Sequence, residues 1–423
     1  MVPGDKSISH RALILGAMAI GKTKISGISF SEDINNLIIN LKLLGVKIKK
    51  DKKLLILHGV GVGGFNKSKK DLYMGNSGTA TRLILGALCN QGFKAKITGD
   101  MSLNKRNMIG VIKPLQKMGA EIIAKNNKLP IIIKGFNDAM PIAYYQKVPS
   151  AQIKSSILIA SLNSPGTTTI IENILTRDHT EILLKNMGAK INIKKNKNKK
   201  IIKIKGQNEL LAQRIVIGGD PSAAAIVGSA ALITPNSEVT IKNINVNETR
   251  ITFFEVLKKM NANIKFSKRK NLSNEKIADI TFKSSNLKGI HLKRKTVINM
   301  IDEIPIFSIL ASFAKGTSSF SNAPELKNKE SDRIKSLYEG LTCCGVKVSK
   351  KKDGLLIFGD KINAVSKKAK IKTYYDHRIA MAFLIMGLTK KEGVIVDNTD
   401  CINTSFPNFL TAMKKIGAAF KKN

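Results

Sequence analysis

The sequence predicts an α/β protein of two pseudo-symmetric domains, and two repeated phrases carry that prediction. The first phrase is an amphipathic helix that ends in Gly or Asn and leads into a short apolar strand. The second is a β-rich strand that precedes each of these helices. Both phrases occur six times along the 423 residues, at a period of roughly 70 residues. Three units lie on each side of a turn-rich segment, so two domains of three units each are expected.

The first phrase is recognised by the residue at which its helix ends. A helix that closes in the left-handed conformation favours Gly, with Asn as the tolerated substitute. Apolar and polar residues alternate in the strand that follows, which predicts one buried and one exposed face. The six turn residues are Gly45, Gly119, Gly188, Asn261, Gly345 and Gly417.

The second phrase starts at a turn and ends in a small or amide residue. Its β-branched content predicts a strand in each unit. The six copies span 21–27, 92–99, 166–173, 237–243, 316–322 and 393–398.

The boundary between the domains is expected at Gly218-Gly219-Asp220-Pro221-Ser222, a run of strong turn formers. We therefore predict an N-terminal domain over 1–219 and a C-terminal domain over 220–423, with the first residues able to pair with the C-terminal domain. A cleft between two such domains is the natural place for a ligand.

Composition narrows the classes of function. The formal net charge is +41, which favours polyanions, yet aromatic residues make up only 5%, Trp is absent and the lysines are dispersed. We expect no specific nucleic-acid partner. No apolar run of about 18 residues appears, which argues against a membrane protein. The four cysteines show no C-x-x-C spacing, so a reduced, cytoplasmic protein without a structural metal is expected.

Arginine is used differently from lysine in this chain. Only ten of the 71 basic residues are Arg, and six of those ten lie in short segments rich in Gly, Ser, Asp, Glu or His. A guanidinium holds carboxylate or phosphate in a planar fork, which an ammonium does not. The pattern indicates sites for a small ligand with several anionic groups. The six residues are Arg11, Arg82, Arg106, Arg177, Arg333 and Arg378.

In the first half, polar segments precede predicted helices. The segments 3–11, 75–82 and 149–156 place Lys, Ser, Gly and Gln at helix starts, where backbone amides favour anions. The segment 176–181 adds Arg177 beside a helix cap. Each segment taken alone is equally compatible with an ordinary capped helix, and their recurrence after equivalent strands is the stronger signal.

The second half contributes acids. The run Ile301-Asp302-Glu303-Ile304-Pro305 predicts apolar surroundings for the Asp302 carboxylate, where burial would raise its pKa and strengthen it as a base. Glu330 and Arg333 are three apart, which places them on one face if the segment is helical, and a surface ion pair is the alternative. Asp376-His377-Arg378 completes the set.

Taken in order, these segments resemble the 5-enolpyruvylshikimate-3-phosphate synthase family, the enolpyruvyl transferases of the shikimate pathway. The resemblance spans essentially the full length. It is carried by PGDKSISHRA, GNSGTATR, GD-SL-KR, PSAQIKSS, TRDHTE, MIDE, KESDRI and DHRIAM. It implies a two-domain inside-out α/β barrel with six βαβαββ-like units, three per domain. It also implies that shikimate-3-phosphate adds to phosphoenolpyruvate and phosphate then leaves, in chorismate and aromatic amino-acid biosynthesis, without metal or organic cofactor.

The resemblance also implies roles for individual residues. Asp302 is expected to take the proton of the attacking hydroxyl, and Glu330, helped by Lys6, to protonate the methylene carbon. The residues implied for shikimate-3-phosphate are Lys6, Ser7, Arg11, Ser150, Ala151, Gln152, Arg177, Asp302 and Lys329. Those implied for phosphoenolpyruvate are Lys6, Gly78, Arg106, Gln152, Arg333 and Arg378.

Two other functions stay open on the sequence. One is the sister enolpyruvyl transferase that acts on UDP-N-acetylglucosamine with a loop cysteine, although no cysteine here lies in a comparable Gly-rich loop. The other is a nucleic-acid binder on an inactive enzyme scaffold. We expect a monomer.

Overall fold

The structure is a computed structural model that describes residues 2–52, 54–136, 139–196, 199–360, 369–389 and 393–421. The chain divides into two compact units. We call them the N-terminal unit (Gly4–Ile217 and Leu272–Glu275) and the C-terminal unit (Met1–Pro3, Gly218–Asn271 and Lys276–Asn423). Each unit has its own hydrophobic core.

The predicted helix ends are confirmed at all six turn residues. Their φ angles run from +66° at Asn261 to +105° at Gly119, in the left-handed region. In every copy the amide after the turn residue donates a hydrogen bond to the carbonyl five residues earlier, as Val46 does to Leu41 and Ala418 to Met413. This bond satisfies a carbonyl that the helix end would otherwise leave without a partner.

The N-terminal unit contains three four-stranded sheets, each combining one parallel pair with antiparallel pairs. Their strand orders are β12-β1-β3-β2, β4-β5-β7-β6 and β10-β11-β9-β8. The strands are β1 (Ile20–Ser26), β2 (Lys47–Asp51), β3 (Leu54–Val60), β4 (Leu72–Tyr73), β5 (Lys94–Thr98), β6 (Glu121–Ala124), β7 (Ile131–Lys134), β8 (Ala143–Gln146), β9 (Thr167–Glu172), β10 (Ile191–Asn196), β11 (Lys199–Lys205) and β12 (Arg214–Val216). The helices are α1 (Lys6–Ala17), α2 (Glu32–Leu43), α3 (Gly78–Leu88), α4 (Met101–Asn104), α5 (Ile109–Lys117), α6 (Ala151–Ala160) and α7 (His179–Asn186).

The C-terminal unit repeats the plan with sheets β13-β15-β14, β16-β18-β17 and β19-β20. Its strands are β13 (Glu238–Asn245), β14 (Asn263–Leu272), β15 (Glu275–Lys283), β16 (Gly316–Phe320), β17 (Val348–Lys351), β18 (Gly354–Gly359), β19 (Ala369–Ile371) and β20 (Val394–Val396). Its helices are α8 (Pro221–Ile233), α9 (Thr252–Lys259), α10 (Arg294–Asn299), α11 (Ile304–Phe313), α12 (Arg333–Cys343), α13 (His377–Met386) and α14 (Phe409–Lys414). Strands β1, β5, β9, β13, β16 and β20 confirm the strand predicted in each unit.

Helices occupy the centre of each unit. Every residue of α8 and of α11 is buried, and α8, α11 and α13 pack against one another. In the N-terminal unit α3 packs against both α1 and α6. A helix that is apolar all round must be covered on every side, which explains why the sheets lie outside the helices. Within the described residues, no helix combines the length and the apolarity needed to cross a membrane.

One hairpin tip departs from the simple division of the chain. Residues Leu272–Glu275 join β14 to β15 but belong to the N-terminal unit. There, the Glu275 carboxylate lies 2.6 Å from His179 Nδ1, and Ser273 Oγ accepts a hydrogen bond from the Val216 amide. The N-terminal unit is thus completed by four residues from the second half of the sequence.

Candidate active site

The start of α1 gathers the first predicted residues. The Asp5 side chain caps the helix by accepting a hydrogen bond from the Ile8 amide at 2.9 Å. Lys6 then projects its ammonium onto Asp33 of α2, 2.8 Å from the carboxylate. Both side chains are largely shielded, at 18% and 7% exposure. This pairing holds the Lys6 side chain in one orientation.

Arg11 lies one turn further along α1 and is almost completely buried. Its guanidinium donates to Thr180 Oγ1 at 2.7 Å, to the Ser7 carbonyl at 2.9 Å and to Ser155 Oγ at 2.9 Å. Arg11 therefore ties α1 to α6 and to the start of α7. In the same region the Arg177 guanidinium donates to Ser7 Oγ at 3.4 Å.

The start of α3 brings together a second set. Arg82 donates to the Gly78 carbonyl at 3.0 Å and to Gln152 Oε1 at 2.9 Å, while Gln152 Nε2 donates to Thr79 Oγ1 at 2.8 Å. A Cβ at position 78 would lie 2.8 Å from Arg82 Nη1 and 3.2 Å from Arg106 Nη1, so a larger residue there would displace these two guanidinium groups. Two arginines, one glutamine and the amide-rich start of a helix thus meet where phosphate or carboxylate would bind.

Arg106 and the start of α6 frame that set. Arg106 is only 8% exposed and donates to Asn76 Oδ1 and, at 3.2 Å, to Ser102 Oγ. Ser150 caps α6, so Ala151 and Gln152 occupy its first turn. Six of the nine predicted N-terminal site residues lie at the starts of α1, α3 and α6, while Arg11 lies one turn into α1, Arg106 follows α4 and Arg177 precedes α7.

His10 links the start of α1 to the start of α3. Its Nδ1 lies 2.7 Å from the Lys6 carbonyl, which only accepts, so Nδ1 carries the proton. Its Nε2 then accepts from Ser77 Oγ at 3.0 Å, and Ser77 in turn caps α3. Burial, together with the charges of Lys6 and Arg11, lowers the pKa of His10 to about 4, against the opposing effects of Asp33 and of the hydrogen bond to the Lys6 carbonyl. The ring is therefore neutral at physiological pH and fixed in one tautomer.

This depressed pKa predicts a specific pH dependence of stability. The unfolded chain takes up a proton at His10 near pH 6.5, whereas the folded chain resists protonation until about pH 4. The free energy of unfolding should therefore be fully retained above pH 6.5 and fall as the pH drops below it, by about 1 kcal/mol per pH unit near pH 5.5. Denaturant titrations should show this extra loss in the wild type and not in His10→Asn. The exposed His291 provides the control, and a His291→Asn curve without the extra loss would contradict the assignment.

The C-terminal unit holds the predicted acids and the remaining cations together. Asp302, just before α11, has its carboxylate 3.8 Å from Arg333 Nη1, 3.9 Å from Arg378 Nη2 and 4.0 Å from Lys329 Nζ. Arg378 also donates to the Asp302 backbone carbonyl at 3.0 Å. Three cations thus face one carboxylate.

Arg333 is the centre of this cluster and is fully buried. It donates to Asp376 through Nε at 2.8 Å and Nη2 at 3.2 Å, and to Glu330 through Nη2 at 2.6 Å. Asp376 also caps α13 by accepting from the Arg378 amide at 2.9 Å. A single buried carboxylate therefore supports Arg333 and the start of the helix that carries Arg378.

The prediction that apolar side chains surround Asp302 is wrong. Ile304, two residues later, turns into the core, while the Asp302 side chain is 18% exposed and faces Lys329, Arg333 and Arg378. The sequence correctly predicted that Ile304 is buried, but it did not show which residues lie beside the Asp302 carboxylate. Cations that face a carboxylate favour its ionised form, which is the form that can accept a proton.

Sequence reasoning missed two supporting residues, Asp33 and His10, and the partner of a third, Asp376. Asp33 reads as an ordinary acid in the first turn of α2, His10 as a polar residue of α1, and Asp376 as a member of the site without a partner. Arg82 was singled out with the other arginines, but it was given no ligand. In each case the contact is with a residue at least 27 positions away, and no local pattern encodes it.

The comparisons with known proteins agree with this geometry. The family model described as EPSP synthase (3-phosphoshikimate 1-carboxyvinyltransferase) matches residues 1–413. A 3-phosphoshikimate 1-carboxyvinyltransferase of Zymomonas mobilis subsp. mobilis is 42% identical over 425 residues, which cover 99% of this chain and 94% of that protein. The enzyme of the same name from Parvibaculum lavamentivorans is 42% identical over 422 residues, covering 99% and 93%. A solved EPSP synthase from Acinetobacter baumannii superposes with a TM-score of 0.85 at 37% identity, covering 99% of this chain and 95% of that chain.

Two three-sheet units, each with cations collected at helix starts, define a transferase that handles small polyanionic metabolites. The chain belongs to the EPSP synthase family, the 3-phosphoshikimate 1-carboxyvinyltransferases. The predicted inside-out α/β fold and the predicted enolpyruvyl-transfer activity in the shikimate pathway are thereby confirmed. Neither the UDP-N-acetylglucosamine reaction nor nucleic-acid binding is favoured.

Proposed function

We propose that the cationic cluster of the N-terminal unit and the acid-and-arginine cluster of the C-terminal unit serve one pair of substrates, shikimate-3-phosphate and phosphoenolpyruvate. Both molecules carry a phosphate and a carboxylate, which are the groups that arginine forks recognise. In this proposal the two clusters contribute complementary parts of one reaction.

One observation carries the proposal. Arg333 Nη1 is buried and has no hydrogen-bond partner among the described residues, although its other two nitrogens are fully engaged. A buried donor without a partner costs free energy that a ligand oxygen would recover. Since Nη1 points toward the region of Asp302, an anionic oxygen of phosphoenolpyruvate is the group we assign to it.

The residues around the start of α1 are proposed to hold shikimate-3-phosphate. Ser7 and Arg177, which already contact each other, would bind its phosphate together with Ser150, Ala151 and Lys329. Gln152 would contact the ring, and Asp302 the attacking hydroxyl. Arg11 would contribute by fixing Ser7 and Ser155, since its own nitrogens are engaged with protein groups.

Phosphoenolpyruvate is proposed to bind through Lys6, Gly78, Arg106, Arg333 and Arg378, with Gln152 nearby. The Gly78 segment offers backbone amides at the start of α3, and each arginine offers a fork. Arg82, which lies against Gly78 and Gln152, would keep that segment in place.

The proton transfers follow from the positions of the carboxylates. The hydroxyl oxygen of shikimate-3-phosphate would bond to C2 of phosphoenolpyruvate, and Asp302 would accept the proton that this hydroxyl loses. Glu330, with Lys6, would deliver a proton to C3, which gives a tetrahedral adduct. Loss of a proton from C3 and departure of phosphate would then restore the double bond, and the arginines would stabilise the charge that develops on the leaving group.

Phosphate release tests the assignment of substrates. We expect release from phosphoenolpyruvate in the presence of shikimate-3-phosphate and none when UDP-N-acetylglucosamine replaces it. Release only with the nucleotide sugar would overturn the proposal in favour of the sister reaction. The monomeric state and the cytoplasmic location stay predictions, and sedimentation analysis would check the first.

Arg106→Lys should separate the two substrates. The substitution keeps the charge but removes the fork, so the KM for phosphoenolpyruvate should rise roughly tenfold or more, as expected for the loss of one charge-assisted hydrogen bond. The KM for shikimate-3-phosphate should change by less than about twofold. Arg214→Lys, at an exposed position of the same unit, is the control and should match the wild type. Equal rises for both substrates would argue against assigning Arg106 to phosphoenolpyruvate.

A further inference from the structure

A buried set of charges lies within the N-terminal unit and has no part in the proposed chemistry. Lys154 of α6 lies 3.1 Å from Glu172 at the end of β9 and 2.8 Å from Glu181 of α7. Lys200 of β11 lies 2.9 Å from the same oxygen of Glu181. The side-chain exposures of Lys154, Glu172, Glu181 and Lys200 are 0%, 0%, 1% and 7%.

Glu181 and Lys200 are charged despite their burial. Burial would raise the pKa of Glu181, but Lys154 and Lys200 outweigh it and hold that pKa at about 2. Burial would likewise lower the pKa of Lys200, but Glu181 and neighbouring acids raise it. Buried ion pairs are often no more stabilising than apolar side chains of the same size, because each charge must be stripped of water. Stability alone therefore gives a weak account of this set.

Lys154 and Glu172 both contact Thr176, the residue that directly precedes Arg177. Lys154 Nζ donates to the Thr176 carbonyl at 3.4 Å, and Glu172 accepts a hydrogen bond from the Thr176 hydroxyl. Thr176 is adjacent to Arg177, whose guanidinium reaches Ser7 Oγ. Both the backbone and the side chain of Thr176 are thus fixed by the Lys154–Glu172 pair.

The same pair fixes α6 relative to this segment. Lys154 lies one turn beyond Ser150, Ala151 and Gln152, so its ammonium connects the first turns of α6 to the end of β9. The second pair lies elsewhere, because Lys200 Nζ donates to Glu181 Oε1 and so connects β11 to α7. Its contribution is to balance the charge around Lys154.

We propose that Lys154 and Glu172 are positioning residues that hold Arg177 at the correct distance from the start of α6, and thereby set the affinity for shikimate-3-phosphate. This inference rests on the proposed function, because it takes Arg177 and the start of α6 as contacts of that substrate. Neither residue touches the substrate. Their effect is transmitted through Thr176.

Two double variants test the inference. Lys154→Met/Glu172→Leu removes one lysine and one glutamate that contact Thr176. Glu181→Leu/Lys200→Met removes one of each from the same buried set and leaves the Thr176 contacts in place. Both changes are charge-neutral and exchange similar volumes, so general effects on packing should be alike. Binding of shikimate-3-phosphate alone is measured by calorimetry, and the KM for phosphoenolpyruvate in the full reaction.

We expect Lys154→Met/Glu172→Leu to weaken shikimate-3-phosphate binding roughly tenfold or more, since small displacements of a binding group have large effects. The KM for phosphoenolpyruvate should change by less than about twofold, and the control variant should bind shikimate-3-phosphate like the wild type. Equal weakening in both double variants would overturn the inference. A wild-type protein that does not bind shikimate-3-phosphate would overturn the proposed function itself.

A milder pair of variants applies if the double variant does not fold. Thr176→Val removes only the hydroxyl that Glu172 accepts from, and Thr176→Ser retains it. Weakened shikimate-3-phosphate binding in Thr176→Val, restored in Thr176→Ser, is the expected result. Wild-type affinity in Thr176→Val would overturn the role of Glu172.

Discussion

Asp302→Asn is expected to lower kcat by a factor of about a thousand, within the range contributed by a positioned general base. Asparagine has nearly the shape of aspartate and keeps an oxygen near Lys329, Arg333 and Arg378, but it cannot take the proton of the attacking hydroxyl. The KM values should change much less than kcat, because the cations that are proposed to bind the substrates remain.

The fold should survive this substitution. Asp302 is 18% exposed and lies 3.8 Å or more from each of its three cationic neighbours, so the loss of its charge should change the free energy of unfolding by less than about 1 kcal/mol. Phosphate release measures kcat, and denaturant unfolding measures stability. Asp360→Asn, at an exposed position of the same unit, serves as the control. Wild-type turnover in Asp302→Asn would remove this residue from the mechanism.

Asp376→Asn should have the largest effect on stability. Burial alone would raise the pKa of Asp376, but Arg333 outweighs it and holds that pKa below its usual range. The buried pair is therefore charged at neutral pH. Removing one member leaves the other buried with less compensation, which costs about 3 kcal/mol or more. Because the pKa of Asp376 is lowered in the folded protein, the stabilisation by the Asp376–Arg333 pair depends on pH. It is present above the ordinary pKa of an aspartate and is lost as the pH falls below that value.

The same substitution should weaken phosphoenolpyruvate binding at least about tenfold, because Asp376 orients Arg333 and caps the helix that begins at His377. A matched surface pair provides the control. Asp353 lies 2.6 Å from Lys327 in the same unit, but these side chains are 20% and 48% exposed. Asp353→Asn should leave the free energy of unfolding close to that of the wild type, because an exposed ion pair contributes little. If Asp376→Asn and Asp353→Asn lowered the free energy of unfolding by similar amounts, burial would not account for the contribution of the Asp376–Arg333 pair.

The fold was readable from the sequence because its signals are local. Each helix end depends on one residue that accepts a left-handed conformation, and Asn261 satisfies the same requirement as the five glycines. The strand of each unit is encoded by β-branched residues between turn formers. Each single helix end or strand is a weak indication of the fold, but the same pattern occurs six times, and this repetition makes the prediction strong. Neither property depends on contacts that are distant along the chain.

The site was only partly readable, because its supporting contacts are long-range. The arginines were found by their rarity and their neighbours. Their partners were not, since the bond from Arg333 to Asp376 spans 43 positions and the bond from His10 to Ser77 spans 67. Lys154 lies in the PSAQIKSS segment, and nothing in that segment predicts that its side chain is buried. A sequence pattern shows which residue types are available, and the packing of helices decides which of them meet.

The hairpin tip at Leu272–Glu275 affects how the polypeptide can be dissected. An expression fragment that stops at Ile217 would leave the His179 imidazole without Glu275 and the Val216 amide without Ser273, in the sheet that also contains β1. Such a truncated piece should fold poorly even though most of its residues form one compact body. Independent expression of the N-terminal unit would therefore require residues that replace the contacts of Ser273 and Glu275.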